Sequence, residues 1–423
     1  MYQHILKCRI CGNSELEPLL DLGVQHLTGV FPKGVDDEPP AVPLELVKCH
    51  ETSDTCGLVQ LKHSSDAGAM YGANYGYRSG LNRSMVEHLH QIAAKIKTVA
   101  SLRPGDTVLD IGSNDGTFLK AMGEPGVALI GMDPTGSKFR EFYLPPIHLV
   151  PDFFSADRFR RETDERAKVV TSIAMFYDLE SPMEFVRQVA EVLADDGIWV
   201  FEQSYLPAML ENTSYDTICH EHLEYYALRQ ILWMTDRAGL EVIDIERNDI
   251  NGGSFCITTA RCGSTHRRNH GAIAAMLEEE ERLGLSGPTV YARFRERTYR
   301  HREQLRQFLE QATRAGELVL GYGASTKGNV ILQFCGLSSK DLPFIADVNR
   351  DKFGAFTPGT RIPIISEEEA RGMNPAAFLV LPWHFRANII GREERFLKSG
   401  GKLVFPLPAI EVTTLENSAC CRL

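Results

Sequence analysis

The stretch Val108-Leu-Asp-Ile-Gly-Ser-Asn-Asp-Gly-Thr-Phe-Leu119 decides the fold of this chain. An apolar run ends at Asp110, passes through a turn that contains Gly112 and Gly116, and continues into residues with helical spacing. This order is typical of the first strand, turn and helix of a doubly wound parallel sheet. The clearest predicted strands of this sheet are Thr107–Ile111, Val127–Met132, Val169–Ala174 and Ile198–Phe201. The sequence therefore predicts an α/β, Rossmann-like domain, preceded by a helix over about residues 82–102.

The end of this domain has a different pattern. The segments Leu240–Ile245 and Ser254–Thr259 are joined through Asn251-Gly-Gly253, which favours a reversal of the chain. We expect them to close the edge of the sheet as an antiparallel pair.

The composition of the first turn indicates which cofactor it binds. A dinucleotide site uses Gly-x-Gly-x-x-Gly so that a pyrophosphate can approach the helix N-terminus, and the middle glycine is absent here. The carboxylates of Asp110 and Asp115 disfavour phosphate but suit the ammonium and sulfonium charges of S-adenosylmethionine. Asp133 follows the next strand, about twenty residues on, where an acid can accept hydrogen bonds from ribose hydroxyls. The predicted cofactor-binding residues are Asp110, Gly112, Ser113, Asn114, Asp115, Gly116 and Asp133. The alternative is a tight turn that binds no cofactor.

Four of the ten cysteines form a pattern that predicts a zinc site. Cys8 and Cys11 form a Cys-x-x-Cys knuckle, and Cys49 and Cys56 follow after a spacer long enough to fold back. The second pair is more widely spaced than a compact knuckle, so His50 could replace one thiolate. The alternative is that these are ordinary buried or surface thiols. Residues 1–65 are expected to form a small domain whose core needs the metal.

The 423 residues are too many for one ordinary core, and 43% hydrophobic with 24% charged residues is a globular composition. After the zinc-binding domain we expect a domain for S-adenosylmethionine at residues 66–263 and a solvated helical connector at 264–315. A second, smaller Rossmann-like domain is expected at 316–415. Its predicted strands are Leu318–Leu320, Phe344–Ala346, Phe378–Leu381 and Leu403–Phe405.

Charge and hydropathy limit the partners. The net charge of −11 argues against nucleic acid as the main ligand, because proteins that bind nucleic acids present a basic face. No apolar run reaches the roughly 20 residues that cross a bilayer, and the first residues lack the features of a signal peptide. We therefore expect a cytoplasmic protein, a monomer or small homo-oligomer, that acts without nucleic acid or membrane.

A second strand, turn and helix occurs at Gly321-Tyr-Gly-Ala-Ser-Thr-Lys-Gly328, and this turn has no carboxylate. Its backbone amides, the hydroxyls of Ser325 and Thr326 and the ammonium of Lys327 are suited to a diphosphate. Asp347 follows a later strand and could meet a ribose or base. Trp383 and His384 could flank a nucleotide, although an aromatic residue there is as often part of the core.

Five segments occur in the order found in one family, and the resemblance extends over almost the whole chain. They are the cysteine unit, Tyr71–Gly80, Val108–Leu119, Tyr215–Tyr226 and Gly321–Asn329. The chain resembles the sugar C-methyltransferases that build branched-chain deoxysugars. The resemblance implies a zinc-bearing N-terminal domain, a central domain for S-adenosylmethionine and a C-terminal domain that holds a nucleotide-linked 4-keto-6-deoxyhexose, methylated at C3. The chain departs from the family at Cys219, where several members carry tyrosine, and in its wider second cysteine pair.

The segment His220-Glu-His222 is specific to that family and carries the expected chemistry. Carbon methylation beside a ketone needs a base and hydrogen-bond donors that stabilise an enolate, and a histidine with a pKa near neutrality suits the first task. The resemblance favours His222 as this base, whereas the residues alone leave base, metal-ligand and structural roles open. Glu221 is expected to orient the sugar or a second histidine. Expected donors to the keto oxygen are His220, Tyr225, Tyr226 and either Tyr75 or Tyr77, and Asn329 joins the predicted substrate-binding residues.

Two other functions compete with this interpretation. One is an O- or N-methyltransferase of a small metabolite, in which the same base would deprotonate a hydroxyl. The other is a zinc-bearing binding protein whose cofactor turn is vestigial. The set Asp110, Asp115 and Asp133 argues against the binding protein, and the loop at 321–329 favours a nucleotide sugar over a free metabolite.

Overall fold

Two small antiparallel sheets form the N-terminal part of the computed structural model, which describes residues 2–34, 37–65 and 77–418. Strands β1 (Tyr2–His4) and β5 (His63–Ser65) form one sheet. Strands β2 (Leu16–His26), β3 (Ala41–Cys49) and β4 (Val59–Leu61) run side by side in the other. The fourth strand of that second sheet is Glu224–Tyr225, which pairs with β4. The N-terminal part therefore shares a sheet with a segment from much later in the chain.

A seven-stranded sheet forms the central part. The strands that follow along the chain are β6 (Thr107–Ile111), β7 (Ala128–Met132), β8 (Ile147–Val150), β9 (Ala167–Ile173), β10 (Leu193–Ser204), β11 (Glu224–Tyr225, in the N-terminal sheet), β12 (Leu240–Asn248) and β13 (Ser254–Arg261). The order across the central sheet is β12-β13-β10-β9-β6-β7-β8. All neighbouring strands are parallel except the two pairs that β13 makes, so the antiparallel edge predicted from the sequence is confirmed.

Helices cover both faces of this sheet, which explains why β6 is buried along its whole length. They are α1 (Arg83–Ala100), α2 (Thr117–Met122), α3 (Ala156–Arg160), α4 (Pro182–Val192), α5 (Leu206–Glu211) and α6 (Leu228–Arg237). The Asn82 side chain begins α1 by accepting a hydrogen bond from the backbone N–H of Ser84 at 3.1 Å. The helical spacing of Met85, Leu89, Ile92, Ala93, Ile96 and Val99 predicts its buried face, and all of these residues are buried except Val99, which is 49% exposed.

The stretch after β13 folds into helices α7 (His270–Leu283) and α8 (Thr289–Arg314). It is helical, as predicted, but α8 is not only a solvated connector, because one face of it is buried. The buried residues are Tyr291, Phe294, Thr298, His301, Leu305, Leu309 and Ala312. The His301 ring bonds to the Tyr215 hydroxyl at 2.9 Å and to the carbonyl oxygen of Pro406 at 2.6 Å. Helix α8 therefore links the central and C-terminal parts through their core.

The C-terminal part is a second, smaller wound sheet. Its strands are β14 (Val319–Tyr322), β15 (Ile345–Asp347), β16 (Ile364–Ser366), β17 (Ala377–Val380), β18 (Lys402–Phe405) and β19 (Glu411–Thr413), in the order β16-β15-β14-β17-β18-β19. Only the β18–β19 pair is antiparallel. Its helices are α9 (Thr326–Phe334), α10 (Glu367–Gly372), α11 (Arg386–Arg392) and α12 (Glu394–Lys398). Among the described residues, no helix is both long and apolar enough to span a membrane.

Candidate active site and metal centre

The four predicted zinc ligands come together at the start of the chain. The sulfur atoms of Cys8 and Cys56 lie 3.5 Å apart, as do those of Cys11 and Cys49, and all four lie within 4.8 Å of one another. Tetrahedral zinc with Zn–S bonds of about 2.3 Å needs sulfur atoms about 3.8 Å apart, so the cluster fits this ion. His50 does not replace a thiolate, because its ring is half exposed and bonds to Glu17 through Nδ1 at 2.7 Å.

The predicted cofactor turn joins β6 to α2, and its glycines adopt the left-handed backbone conformation that favours glycine. Gly112 and Gly116 have φ values of +75° and +70°, and a Cβ on Gly112 would lie 2.9 Å from the Met175 side chain. Asp133 lies at the end of β7, and its Oδ2 accepts a hydrogen bond from the backbone N–H of Asn114 at 2.8 Å. Its Oδ1 accepts from the backbone and hydroxyl of Thr135, each at 2.6 Å. Asp133 therefore fixes the turn and lies beside it.

The other two acids of the turn have different surroundings. Asp110 is buried and accepts a hydrogen bond from the Thr171 hydroxyl at 2.6 Å, and burial raises its pKa to about 7. Asp115 accepts hydrogen bonds from the Thr117 backbone and hydroxyl through Oδ1, and from the backbone N–H of Gly80 through Oδ2 at 3.0 Å. These contacts argue that Asp115 orders the turn and the start of α2, whereas Asp110 is the better partner for a cationic ligand.

The segment that precedes α1 covers this turn. The Asn114 side chain accepts from the backbone N–H of Ser79 at 2.9 Å and donates to the carbonyl oxygen of Tyr77 at 3.2 Å. The Ser113 hydroxyl and the Tyr143 hydroxyl hydrogen-bond at 2.8 Å on the other side of the turn. Tyr77, one predicted donor to the substrate, is 49% exposed. The other, Tyr75, lies outside the described residues.

His222 is held by its own segment. Its Nδ1 donates to the carbonyl oxygen of Thr217 at 2.8 Å, so Nε2 carries the lone pair. The ring is half-buried and meets the Tyr177 ring edge to face, with centroids 4.4 Å apart. Burial, and to a smaller extent the charge of Lys327, lowers the pKa of His222 to about 3. The side chain is therefore a neutral imidazole with a fixed tautomer.

Glu221 lies where the three parts of the chain meet. A Cβ on Gly29 would lie 2.2 Å from its Oε1 and 3.6 Å from the hydroxyl oxygen of Thr326. Within residues 2–34, 37–65 and 77–418 its carboxyl group has no hydrogen-bond partner, and burial raises its pKa to about 7. This carboxyl group is free to bind or orient a ligand.

Three neighbours of His222 do not lie where a donor to a substrate is needed. His220 is 2% exposed and its Nε2 faces the carbonyl oxygen of Val42 in β3 at 3.2 Å. Tyr225 is buried and donates to the carbonyl oxygen of Thr217 at 3.4 Å, the same atom that holds His222. Tyr226 is fully buried and stacks on Phe176. Their burial argues against the predicted contacts with the sugar and indicates that they hold the segment in place.

The residues of the predicted phosphate loop at the start of α9 have different surroundings. Ser325 caps α9 by accepting from the backbone N–H of Gly328 at 3.0 Å, and Thr326 lies near Glu221. Lys327 donates to the carbonyl oxygen of Asn251, at the edge of the central part, at 2.8 Å. Asn329 is instead fully buried and donates to the carbonyl oxygen of Thr28 at 2.7 Å, which argues against its predicted contact with substrate.

In the C-terminal part, Asp347 makes contacts equivalent to those of Asp133 in the central part. Its Oδ2 accepts from the backbone N–H of Ala324 at 2.8 Å and its Oδ1 from that of Asn349 at 2.7 Å. The acid thus lies at the end of β15 beside the turn that leads into α9.

Trp383 and His384 face the central part. The Trp383 indole donates to Oδ2 of Asp216 at 2.8 Å, and Asp216 is fully buried. Burial lowers the pKa of His384 well below its usual value, and the charge of Lys327 adds to this. Asp216, Lys327, Trp383 and His384 therefore form a polar cluster between the two wound sheets.

Tyr177, Thr217 and Asp216 are site residues that the sequence interpretation missed. Tyr177 follows the carboxyl end of β9, which is where ligands bind in open α/β sheets, so its position carried a usable signal. Thr217 acts through its backbone and carries no such signal.

Three family models match separate stretches of the chain. Residues 8–71 match one described as "Putative zinc binding domain", 77–245 one described as "Methyltransferase domain", and 249–408 one described as "C-methyltransferase C-terminal domain". Over almost its whole length the chain is also similar to the C-methyltransferase NovU of Streptomyces niveus, with 30% identity over 416 residues that cover 97% of this chain and 98% of NovU.

The chain belongs to the C-methyltransferase family. The family indicated by the sequence motifs is thereby confirmed, together with the use of S-adenosylmethionine and a zinc-binding N-terminal domain. The strand order of the central sheet and the four-cysteine cluster agree with this assignment.

Two methyltransferases of known structure are less similar to this C-methyltransferase. The CcbJ methyltransferase from Streptomyces caelestis is 16% identical, with 42% of this chain and 90% of CcbJ covered and a TM-score of 0.33. An S-adenosylmethionine-dependent methyltransferase from Clostridium acetobutylicum is 11% identical, with 42% and 92% covered and a TM-score of 0.34. Likeness at this level adds nothing to the family assignment.

Proposed function

We propose that this C-methyltransferase transfers a methyl group to C3 of a nucleotide-linked 4-keto-6-deoxyhexose through an enolate, in the biosynthesis of branched-chain deoxysugars. S-Adenosylmethionine, when bound at the β6–α2 turn, supplies the electrophilic methyl group. The residues that would hold it are those of the turn together with Asp110 and Asp133. A ribose of the cofactor would meet Asp133, which lies at the end of the second strand of the unit.

The observation that carries the proposal is the fixed tautomer of His222. Because Nδ1 donates to Thr217, only Nε2 can accept the proton on the carbon beside the ketone. His222 would take that proton, and the electron pair of the broken C–H bond would form the enolate.

The low pKa of His222 in the free protein is part of this account. A weak base removes a proton only when the enolate oxygen is stabilised. Burial is the larger cause of the low pKa and the charge of Lys327 is the second, so an anionic substrate beside Lys327 would offset only the smaller cause and raise the pKa of His222 in part. Glu221 and Tyr77 are the groups we assign to orient the sugar and its keto oxygen, and Lys327 is assigned to the diphosphate.

The C-terminal part supports a nucleotide sugar as the acceptor. Its turn has a lysine and no carboxylate, which suits a diphosphate, and Asp347 lies where an acid can meet a ribose. Trp383 and His384 belong to the polar cluster that contains Lys327, and they would flank the nucleotide. The resemblance stated from the sequence motifs favours the same class of substrate.

The proposal is tested with purified protein, S-adenosylmethionine and a panel of nucleotide 4-keto-6-deoxysugars that differ in base and in the configuration at C3. Nuclear magnetic resonance locates the new methyl group. A matched sugar with a 4-hydroxyl in place of the ketone is the control, because it cannot form the enolate. Methylation at C3 of a keto-sugar alone supports the proposal, whereas methylation of oxygen, or of the 4-hydroxy control, contradicts it.

A further inference from the structure

Arg9 lies inside the zinc knuckle, between Cys8 and Cys11, yet its side chain points away from the sulfur atoms. The side chain is 2% exposed. Its guanidinium donates to the carbonyl oxygen of Leu61 at 2.6 Å and to the Ser64 hydroxyl at 2.7 Å, and its backbone N–H donates to the Gln60 side chain at 3.1 Å. The backbone conformation of the Cys8–Cys11 knuckle therefore determines the position of the Arg9 guanidinium.

The same guanidinium lies between two carboxylates from the central part. Its Nε is 3.6 Å from Oε2 of Glu180 and 3.6 Å from Oε1 of Glu224. The Glu224 side chain is fully buried, and neither of its oxygens has a hydrogen-bond partner among the described residues. Burial raises the pKa of the Glu224 carboxyl group well above its usual value, and the nearby charge of Arg9 opposes this rise.

These two carboxylates flank the two rings that meet in the candidate active site. Glu180 follows Tyr177 by three residues, and Glu224 follows His222 by two. The backbone N–H of Leu223 also donates to the carbonyl oxygen of Tyr177 at 2.8 Å, which joins the two segments directly. By lying between Glu180 and Glu224, Arg9 holds together the segments that bring Tyr177 against His222.

The N-terminal sheet holds the same segment by its backbone. Glu224 lies opposite Gln60 in the register of β11 and β4, and the backbone N–H of Leu61 donates to the carbonyl oxygen of Leu223 at 2.8 Å. Gln60 and Leu61 are also the residues that bind Arg9. Strand β11, which follows His222, thus pairs with β4, and β4 in turn binds the knuckle through Arg9.

We propose that Arg9 is a positioning residue for His222, so that the metal-bearing knuckle fixes the place of the catalytic base. This rests on the proposed function, in which His222 is that base. Arg9 itself touches neither substrate nor cofactor in this account. Its loss would loosen the segment 222–226 while the cofactor turn, on the far strands β6 and β7, keeps its structure.

The test is Arg9→Met in the full chain, which keeps all four cysteines, with Arg83→Met as the matched control because Arg83 is 93% exposed. We expect Arg9→Met to keep the zinc content and the S-adenosylmethionine affinity of the wild type. Amide hydrogen exchange in 222–226 should become at least about tenfold faster, while that in β6 stays unchanged. The kcat on the keto-sugar should fall about 10- to 100-fold with little change in KM, and Arg9→Lys should restore part of it.

Unchanged exchange in 222–226, or faster exchange with a normal kcat, would overturn the proposal. Removing zinc from the wild type with a chelator should reproduce the faster exchange in 222–226, and retained protection there would equally overturn it. If chelation instead unfolds the whole chain, Arg9→Met alone decides. The exchange measurement needs no turnover, so failure of His222 as the base, seen as normal activity of His222→Asn, is distinguished from failure of Arg9 to order the segment.

Discussion

His222 donates its Nδ1–H to the backbone carbonyl oxygen of Thr217 across 2.8 Å. A carbonyl oxygen can only accept, so this contact leaves Nε2 as the one basic ring nitrogen. Tyr225 donates to the same oxygen at 3.4 Å and helps to hold it. The arrangement gives a neutral base of fixed orientation next to Glu221, where the three parts of the chain meet.

Asp133→Ala should weaken binding of S-adenosylmethionine by about 1.5–3 kcal/mol, because it removes charge-assisted hydrogen bonds to the ribose. Titration calorimetry measures this. Asp133 also holds the backbone of Asn114, so Asp133→Asn, which keeps one side-chain oxygen, should have a smaller effect. Asp347→Ala removes the equivalent acid of the C-terminal turn and should leave this affinity unchanged. If folded Asp133→Ala bound S-adenosylmethionine with an unchanged dissociation constant, Asp133 would not be part of the cofactor site.

The affinity for S-adenosylmethionine should depend on pH through Asp110. Its pKa is raised to about 7 in the free protein, by burial and then by the charge of Asp133, and a cationic ligand favours the ionised form. Below pH about 7 a proton must leave on binding, so the affinity should fall as the pH falls and level off above this value. Calorimetry between about pH 5.5 and 8.5 in two buffers measures the proton release. Asp110→Asn should abolish the dependence, and a variant that retains it would assign the proton to another group.

The purified protein should carry about one zinc ion per chain, bound by the four cysteines. Cys8→Ser or Cys11→Ser should release the metal and lower the stability of the N-terminal part, because its core is small. Elemental analysis and thermal unfolding measure the two effects. Cys262→Ser removes an exposed cysteine outside the cluster and should change neither. If the protein contained no zinc and kept its full stability, the four cysteines would be ordinary thiols and not zinc ligands.

Lys327→Ala should raise the KM for the nucleotide sugar far more than it changes the affinity for S-adenosylmethionine, because its charge serves binding of the diphosphate. Steady-state kinetics and calorimetry separate the two. Lys402→Ala is the control, since Lys402 pairs with Glu317 in the C-terminal part. A change confined to the cofactor affinity would mean that the ligands of the two wound sheets are wrongly assigned.

The sequence predicted most strands of the wound sheets because these strands are continuous apolar runs that end at turns, as at Asp110 and Tyr322, but it missed the short strands β8, β16 and β19. It predicted the acids at strand ends for the same reason. It missed the buried face of α8, although Tyr291, Phe294 and His301 have helical spacing, because the charges on the other face dominate the composition.

The sequence alone could not distinguish candidate catalytic residues from structural residues around His222. Strand β11 has two residues, too few for an alternating pattern, and its partner β4 lies far away in the chain. Nothing local therefore distinguishes His222, which is half-buried against Tyr177, from His220, which packs on β3. The role we infer for Arg9 depends on the same long-range pairing.

Solvent exchange at the acceptor carbon tests the central claim most directly. A keto-sugar deuterated at that carbon is incubated with the protein and S-adenosylhomocysteine, which occupies the cofactor site without a methyl group to transfer. The wild type should release the label into water through reversible enolate formation. His222→Asn should bind both ligands, release no label and lose roughly 10²–10⁴-fold in turnover, as expected of a general base. Label release by His222→Asn at the wild-type rate would contradict the account, and Glu221→Gln made in parallel would show whether the neighbouring carboxyl group takes the proton instead.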